Sequence, residues 1–474
     1  AVAGILSGGT AGVDEWSMVS YLARVNYNYD SKYYLTASWR ADGSSRFGEN
    51  NKFGYFPSVS FAWRISQENF LNEISVLSDL KLRASYGKTG NNNIGSYNHI
   101  STISYLRTIL GGGAVEGYAP ARLDNSMLTW EVQKQINTGL DISLFNNRLG
   151  ITFDYYHSKN TDLLLDVNIP ATTGFTRTLK NIGEVDNTGY DLQVKTENVS
   201  TKDFRWSTDF NISTFKNKVV ALGPGGDPIR STAHITQIGR PIGMFYGYKV
   251  DGIFMNQAEV DKGPIFGKGT SNQSRPGDLR FVDKNNDGII NSLDKGEMGN
   301  PYPDFTYGMT NNVSWKNLSL NVSFYGSYGN DILNLASVGI LNKRGNRVGQ
   351  LATQNNFWKT ELEPGDGVTP RPNDSSTGGN RETSQHLMDT GSFLRINNLR
   401  LNYDVPMTAI NKLINMNSLQ AQIYFNITNL YTFTNNKTCF NPDISNSNAS
   451  LTPGVSFSDY PLPRTYLMGV SIKF

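Results

Sequence analysis

The sequence is poor in cysteine, histidine, charge and long apolar runs, and each shortage excludes something. Of 474 residues only Cys439 is a cysteine, so no intrachain disulfide can form. The four histidines, His99, His157, His234 and His386, have no His, Cys or carboxylate partner at a metal-site spacing. No G-x-S-x-G and no phosphate-binding loop occurs, and the glycines at 111–113 and 223–226 read as loop glycines. Catalysis is therefore not expected. No run of 18 apolar residues is present, which excludes a membrane-spanning helix. It does not exclude membrane strands, in which only alternate residues need be apolar. Charged residues are 18% of the chain and the net charge is +2, too near balance to imply a nucleic-acid partner. The chain opens on Ala1 with no secretory leader, and we expect it to be the carboxy-terminal portion of a longer protein.

What is abundant is strand and turn material: 24 Tyr, 24 Phe and 46 Gly, with many Asn and Ser. The last ten residues, 465–474, set the pattern. Tyr466, Met468, Val470, Ile472 and Phe474 fall on one face, and Thr465, Leu467, Gly469, Ser471 and Lys473 on the other. One face suits lipid and the other water. The alternation returns at 19–29, 33–40, 80–86, 136–144, 149–155, 318–324 and 419–427. Leu80, Leu82, Ala84 and Tyr86, for example, oppose Lys81, Arg83 and Ser85. Charge on the inner face fits a hydrated or plugged lumen and not a dry core. Near Asn397 and Asn398 the phase slips, from Leu394 and Ile396 to Leu399, Leu401 and Tyr403, as a β-bulge would cause.

Connections alternate in length. Short turns are read at 30–32, 146–148, 200–203 and 315–317, and short helical turns at 66–79 and 405–418. Long irregular stretches are read at 89–128, 166–188, 219–304, 331–391 and 432–463. With the carboxy-terminus on the periplasmic side, every long stretch falls outside and every short one inside, as in outer-membrane barrels. The fold class is all-β, a transmembrane antiparallel β-barrel of about 13 strands in this chain with long extracellular loops. Bacterial barrels have even strand numbers, so further strands are expected before residue 1.

Several segments carry a family resemblance. They are YFPSVSFAWR at 55–64, LKLRASYG at 80–87, NIGEV at 181–185, GMFYGY at 243–248, GDLRFVD at 277–283, GNPYPDF at 299–305, SFLRINNL at 392–399 and NLYTF at 429–433. In this order they resemble the SusC/RagA family of TonB-dependent outer-membrane transporters, over essentially the whole chain. The resemblance implies a 22-stranded barrel, so 13 of 22 strands here, with an amino-terminal plug domain and a segment that engages the TonB complex, none of which lies in this sequence. It also implies a SusD-like surface lipoprotein as lid and import of oligosaccharides or oligopeptides. The other readings are a passive outer-membrane channel and a scaffold or adhesin of a surface complex.

One local motif points to a cofactor. Asp283, Asn285, Asp287, Ile289, Asn291 and Asp294 occupy positions 1, 3, 5, 7, 9 and 12 of an EF-hand-like loop, with Gly288 at the sharp turn. Four side chains and the Ile289 carbonyl would supply oxygens to Ca²⁺, with Asn291 acting directly or through water. Asp at position 12 has a shorter arm than the usual Glu, which should weaken binding. The other reading is an Asx-rich turn held by its own hydrogen bonds. Tyr105, Tyr118, Tyr246, Tyr248, Phe357 and Trp358 are read as loop packing or membrane girdle and not as ligand contacts.

Overall fold

The computed structural model describes residues 13–71, 73–168, 171–175, 177–223, 225–336, 355–372, 377–406, 420–444, 451–457 and 459–473. Its main feature is one antiparallel sheet of 13 strands, the number read from the sequence. In chain order these are β1 Met18–Tyr29, β2 Tyr33–Ser44, β3 Phe53–Arg64, β4 Leu77–Asn91, β5 Glu131–Leu144, β6 Leu149–Asn168 and β7 Arg177–Ser200. They continue with β8 Phe204–Ala221, β9 Phe305–Trp315, β10 Leu318–Tyr328, β11 Phe393–Val405, β12 Gln420–Thr434 and β13 Thr465–Lys473. Each strand pairs with the next in sequence, so the wall is a plain up-and-down meander. Among the described residues β1 and β13 each have one neighbour and do not pair with each other.

Register makes the faces. Leu82, Leu140, Phe153, Leu192 and Ile212 lie opposite one another across five adjacent strands. One residue further along, Arg83, Gly139, Asp154 and Asp191 form the matching row on the other face. A slip of one residue would exchange the rows, so the two solvents pin the register. The apolar face is uncovered: Tyr466 is 58% exposed, Met468 73% and Val470 61%. An apolar row of this length stays out of water only if lipid covers it. Aromatic rings stack across strands on this face, as in Tyr33 with Trp63 and Trp39 with Tyr55, in the manner of girdles at a membrane boundary.

The inner face is tied by ions. Arg83 forks onto both Asp141 and Asp154, with four N–H···O distances of 2.9–3.0 Å, and so links three strands. Gly139 lies directly beneath the guanidinium, where a Cβ would collide with Arg83 and Asp154. The expected bulge is present: Asn398 pairs with Ser323 and Ile396 with Phe324, leaving Asn397 unpaired.

The long connections depart from expectation. They were read as irregular, but 92–130 contains an antiparallel hairpin, Thr102–Leu110 with Gly113–Arg122. Strands β6 and β7 also run well past the stretch expected of them, to Asn168 and from Arg177. Connection 222–304 builds short sheets of two to four strands. Strands two to four residues long are too brief to show a period, so no alternation marks them in the sequence. Two short 3-10 helices, Ile65–Gln67 and Asn69–Leu71, form the first part of the helical turn expected at 66–79, whose last residues, from Leu77, already belong to β4. Most of the expected helical turn at 405–418 lies outside the described residues.

Among the described residues the hydrophobic core sits in this outer layer and at the outer ends of the wall strands. Ala233, Phe245, Met298, Leu333, Leu387 and Val455 form one cluster from three separate connections. Tyr248, Ile253, Leu279, Phe281 and Ile290 form a second, with Phe266 and Trp358 against it. A third, of Phe47, Phe56, Ile94, Leu128 and Trp130, plugs the outer ends of β3 and β4. Phe47 and Phe56 approach the Trp130 ring at 5.3 and 5.4 Å between centroids. Each fully buried apolar side chain in these clusters, such as Phe245, Leu333, Phe281 and Phe47, stabilises the layer by about 1.5–3 kcal/mol.

Candidate functional site

The 222–304 connection contributes most of the candidate site. Asn256 caps the helix Gln257–Lys262 by accepting from the Glu259 amide at 2.9 Å. After it, Gly277 turns the chain and Asp278 enters a fully buried position. There the carboxylate accepts from Arg371 Nε at 2.7 Å and Nη2 at 3.0 Å, from Asn380 Nδ2 at 2.9 Å and from the Arg275 amide at 2.8 Å. Gly378 lies so close that a Cβ there would collide with the Asp278 carboxylate. This one group clips the 222–304 connection to the 329–392 connection.

The 283–294 loop follows. Asp283 accepts from the Gly288 amide at 2.8 Å, and Asp287 from the Ile289 amide at 2.8 Å. Asn285 Nδ2 donates to Asp287 at 2.9 Å. Gly288 takes φ +75° with open space around it, the left-handed turn for which glycine is suited. Ile289 and Ile290 then pair in parallel with Ile265 and Phe266. Asn291 and Asp294 form a capping box: Asp294 accepts from the Asn291 amide at 2.8 Å and, through its other oxygen, from the Lys284 amide at 2.9 Å. The six residues named as Ca²⁺ ligands thus lie on one hydrogen-bonded loop. Among the described residues no three of His, Cys, Asp or Glu converge as a metal cluster. Asp294, 4% exposed, holds the loop shut.

Beside this loop opens a cavity of about 1000 Å³, walled by Arg230, Gln237, Arg240, Tyr246, Lys249, Val282, Lys284 and segment 292–297. Glu297 is clamped by Arg240 and by Gln237 Nε2 at 2.7 Å, and the Arg240 guanidinium holds its carboxyl below the usual carboxylate range. The Lys295 ammonium lies 5.0 Å from the Tyr248 ring centre. From the sequence Tyr246 is expected in loop packing or a membrane girdle, whereas the structure puts it on the cavity wall. Tyr248 and Trp358 are loop packing as read, and Tyr105 packs edge-on to Tyr118 at 6.1 Å. The cations Arg230, Lys249 and Lys284 went unnoticed in sequence because they are scattered over 55 positions with no shared motif.

The four histidines are not gathered into a catalytic group. His99 bonds the Arg46 carbonyl, His157 bonds Thr188, and His234 donates from Nε2 to the Pro453 carbonyl at 2.8 Å. Burial pushes both His234 and His386 below the ordinary imidazole value.

An up-and-down sheet with one lipid-facing surface, one ion-tied inner surface and a structured outer layer defines a membrane β-barrel wall of the outer-membrane type. Residues 7–430 match the family model described as TonB dependent receptor-like, beta-barrel, and the chain belongs to that family. It is 36% identical to TonB-dependent receptor P3 of Formosa agariphila, over 98% of this chain and 46% of that one. It is 29% identical to TonB-dependent receptor SusC of Bacteroides thetaiotaomicron, over 97% of this chain and 44% of that one. Among solved structures, that of the RagAB peptide transporter superposes with a TM-score of 0.79 at 29% identity, covering 99% of this chain and 50% of that one. The RagAB peptide importer in its 'open-open' state gives 0.80 at 28% identity, covering 99% and 49%. The SusC/RagA resemblance read from the sequence therefore holds. The chain is an outer-membrane protein of a Gram-negative bacterium and not an enzyme. It spans about half the length of the relatives it matches.

Proposed function

We propose that the complete protein is a TonB-dependent active importer of oligosaccharides or oligopeptides, fed by a SusD-like surface lipoprotein, with this chain as 13 of 22 wall strands. The observation that carries the reading is the family match along a lipid-facing wall whose outer connections fold into a layer with its own core. A passive pore has little use for so costly a layer, whereas a transporter that must enclose a bulky cargo needs a shaped outer surface. The direct test is uptake of labelled oligosaccharides and oligopeptides by cells carrying the full-length protein, with and without its TonB-engaging segment. Uptake that stops when the segment is deleted is the expected result. Undiminished uptake would make the protein a passive channel, and copurification of the full-length protein without any surface lipoprotein would remove the partner.

We further propose that the 283–294 loop takes Ca²⁺, through Asp283, Asn285, Asp287, the Ile289 carbonyl, Asn291 and Asp294. The reading is supported by the ligand spacing and by the glycine turn. Binding would have to draw Asp294 out of its capping box, which lowers affinity. Calorimetric titration should show weak binding, in the range of about 10⁻⁴–10⁻³ M typical of extracellular modules. The heat should vanish in the double variant Asp283→Ala/Asp287→Ala. No heat with the unaltered protein would leave the loop as a hydrogen-bonded turn.

A further inference from the structure

The cavity beside the 283–294 loop has a charge imbalance that its neighbours do not cancel. Its wall carries five cations, Arg230, Arg240, Lys249, Lys284 and Lys295, against two acids, Asp294 and Glu297. The acids are already engaged. Asp294 spends both oxygens on backbone amides, and Glu297 is held by Arg240 and Gln237. Lys295 is shared between Glu382, at 3.8 Å, and the Tyr248 ring. That leaves Arg230, Lys249 and Lys284, each exposed and, among the described residues, without an ion-pair partner within 4.0 Å, with Lys249 feeling the Glu297 carboxylate at longer range. The Lys284 ammonium lies on the wall, 3.8 Å from where a Gly296 side chain would begin. Three like charges converging on one concavity repel one another, and an anionic ligand relieves that cost while it binds.

We propose that this cavity is a binding subsite for an acidic oligosaccharide, whose carboxylate or sulfate groups pair with Arg230, Lys249 and Lys284. The proposal rests on the import reading and names the charge class of the cargo. The wall favours a sugar over a peptide. Gln237, Tyr246 and Ser292 offer hydrogen-bonding side chains for hydroxyls. A peptide docking by strand addition, by contrast, would need a free strand edge to pair with. The edge strands of the small sheet here, Ile229–Arg230 and Gly296–Gly299, are only two and four residues long. Three separate cations on three segments also match charges repeated along a chain better than a single terminal carboxylate.

The test is binding to the full-length transporter, by calorimetry, of four probes of similar length: an oligogalacturonate, a sulfated oligogalactan, a neutral maltooligosaccharide and an oligoglutamate. At least one acidic oligosaccharide should bind well above the neutral one and weaken steeply with added salt. Lys284→Gln and Lys249→Gln should each weaken that binding about three- to tenfold, the size of one exposed to half-buried charged contact. Which acidic sugar binds tells carboxylate from sulfate. Equal binding of the neutral sugar, tighter binding of oligoglutamate, or indifference to both substitutions would overturn the proposal. Failure of the two readings can be told apart. TonB-dependent uptake that ignores cargo charge sinks the subsite alone, and salt-sensitive binding with TonB-independent uptake sinks the importer alone.

Discussion

Removing the Asp278 carboxylate should melt part of the outer layer and leave the wall intact. The group is fully buried, and its oxygens receive four donors, two of them from the Arg371 guanidinium. Breaking one side of a buried pair costs about 3–5 kcal/mol when the surviving charge stays buried. Here the Arg371 side chain is 25% exposed, so water can partly replace what it loses, and the lower end applies. A local cost of about 3 kcal/mol corresponds to an opening equilibrium shifted roughly 100-fold. The assay is amide hydrogen exchange of full-length Asp278→Ala in detergent. Protection should fall about 100-fold at Phe254 and Gly277, whose amides bridge this turn to its neighbours, and at Leu279. Amides of β4 to β8 should exchange as before, because their ladder does not include this group. Protection unchanged within about threefold at all three amides, or lost equally along the wall, would refute the view that one buried ion pair clips two connections together.

Two further outcomes follow from the faces and from the buried histidines. Val470→Lys puts a charge on the lipid face and should cost about 2–4 kcal/mol near the midplane, whereas Ser471→Lys faces the lumen and should cost little; urea titration of the refolded full-length barrel in vesicles compares them, and equal costs would contradict the assigned faces. Acidification should loosen the outer layer. His234 and His386 are held below their unfolded value by burial, so the folded state binds fewer protons than the unfolded one. Their contribution is complete above the unfolded value of about 6.5 and is lost as pH falls below it. Protonated His234 would also carry a second N–H at Nδ1, which has no partner. Hydrogen exchange corrected for its intrinsic pH dependence should show protection near 234 and 386 declining below about pH 6.5, and a flat profile would remove the histidines from the account.

Much of the wall was readable from sequence because a membrane strand has two solvents. Leu82 and Arg83, Leu140 and Asp141, Phe153 and Asp154 each put an apolar side chain beside a charged one, and that period of two fixes strand, face and register together. The slip at Asn397 was visible for the same reason, since an extra residue shifts the phase of everything after it. The family segments were legible too, and the comparisons agree with them. The loop at 283–294 was legible as spacing, although its Asp294 turned out to be the cap of its own turn.

What the chain alone determined is therefore whatever repeats locally: thirteen strands, their two faces and the alternation of short and long connections. What only the tertiary structure decided is the outer layer. Phe245, Leu333 and Val455 share a core though they come from three connections. Asp278 meets Arg371 across 93 positions, and Arg230, Lys249 and Lys284 gather at one cavity. Side chains so far apart in sequence share no period, and the wall must first bring the ends of the connections together before packing and charge can choose their partners.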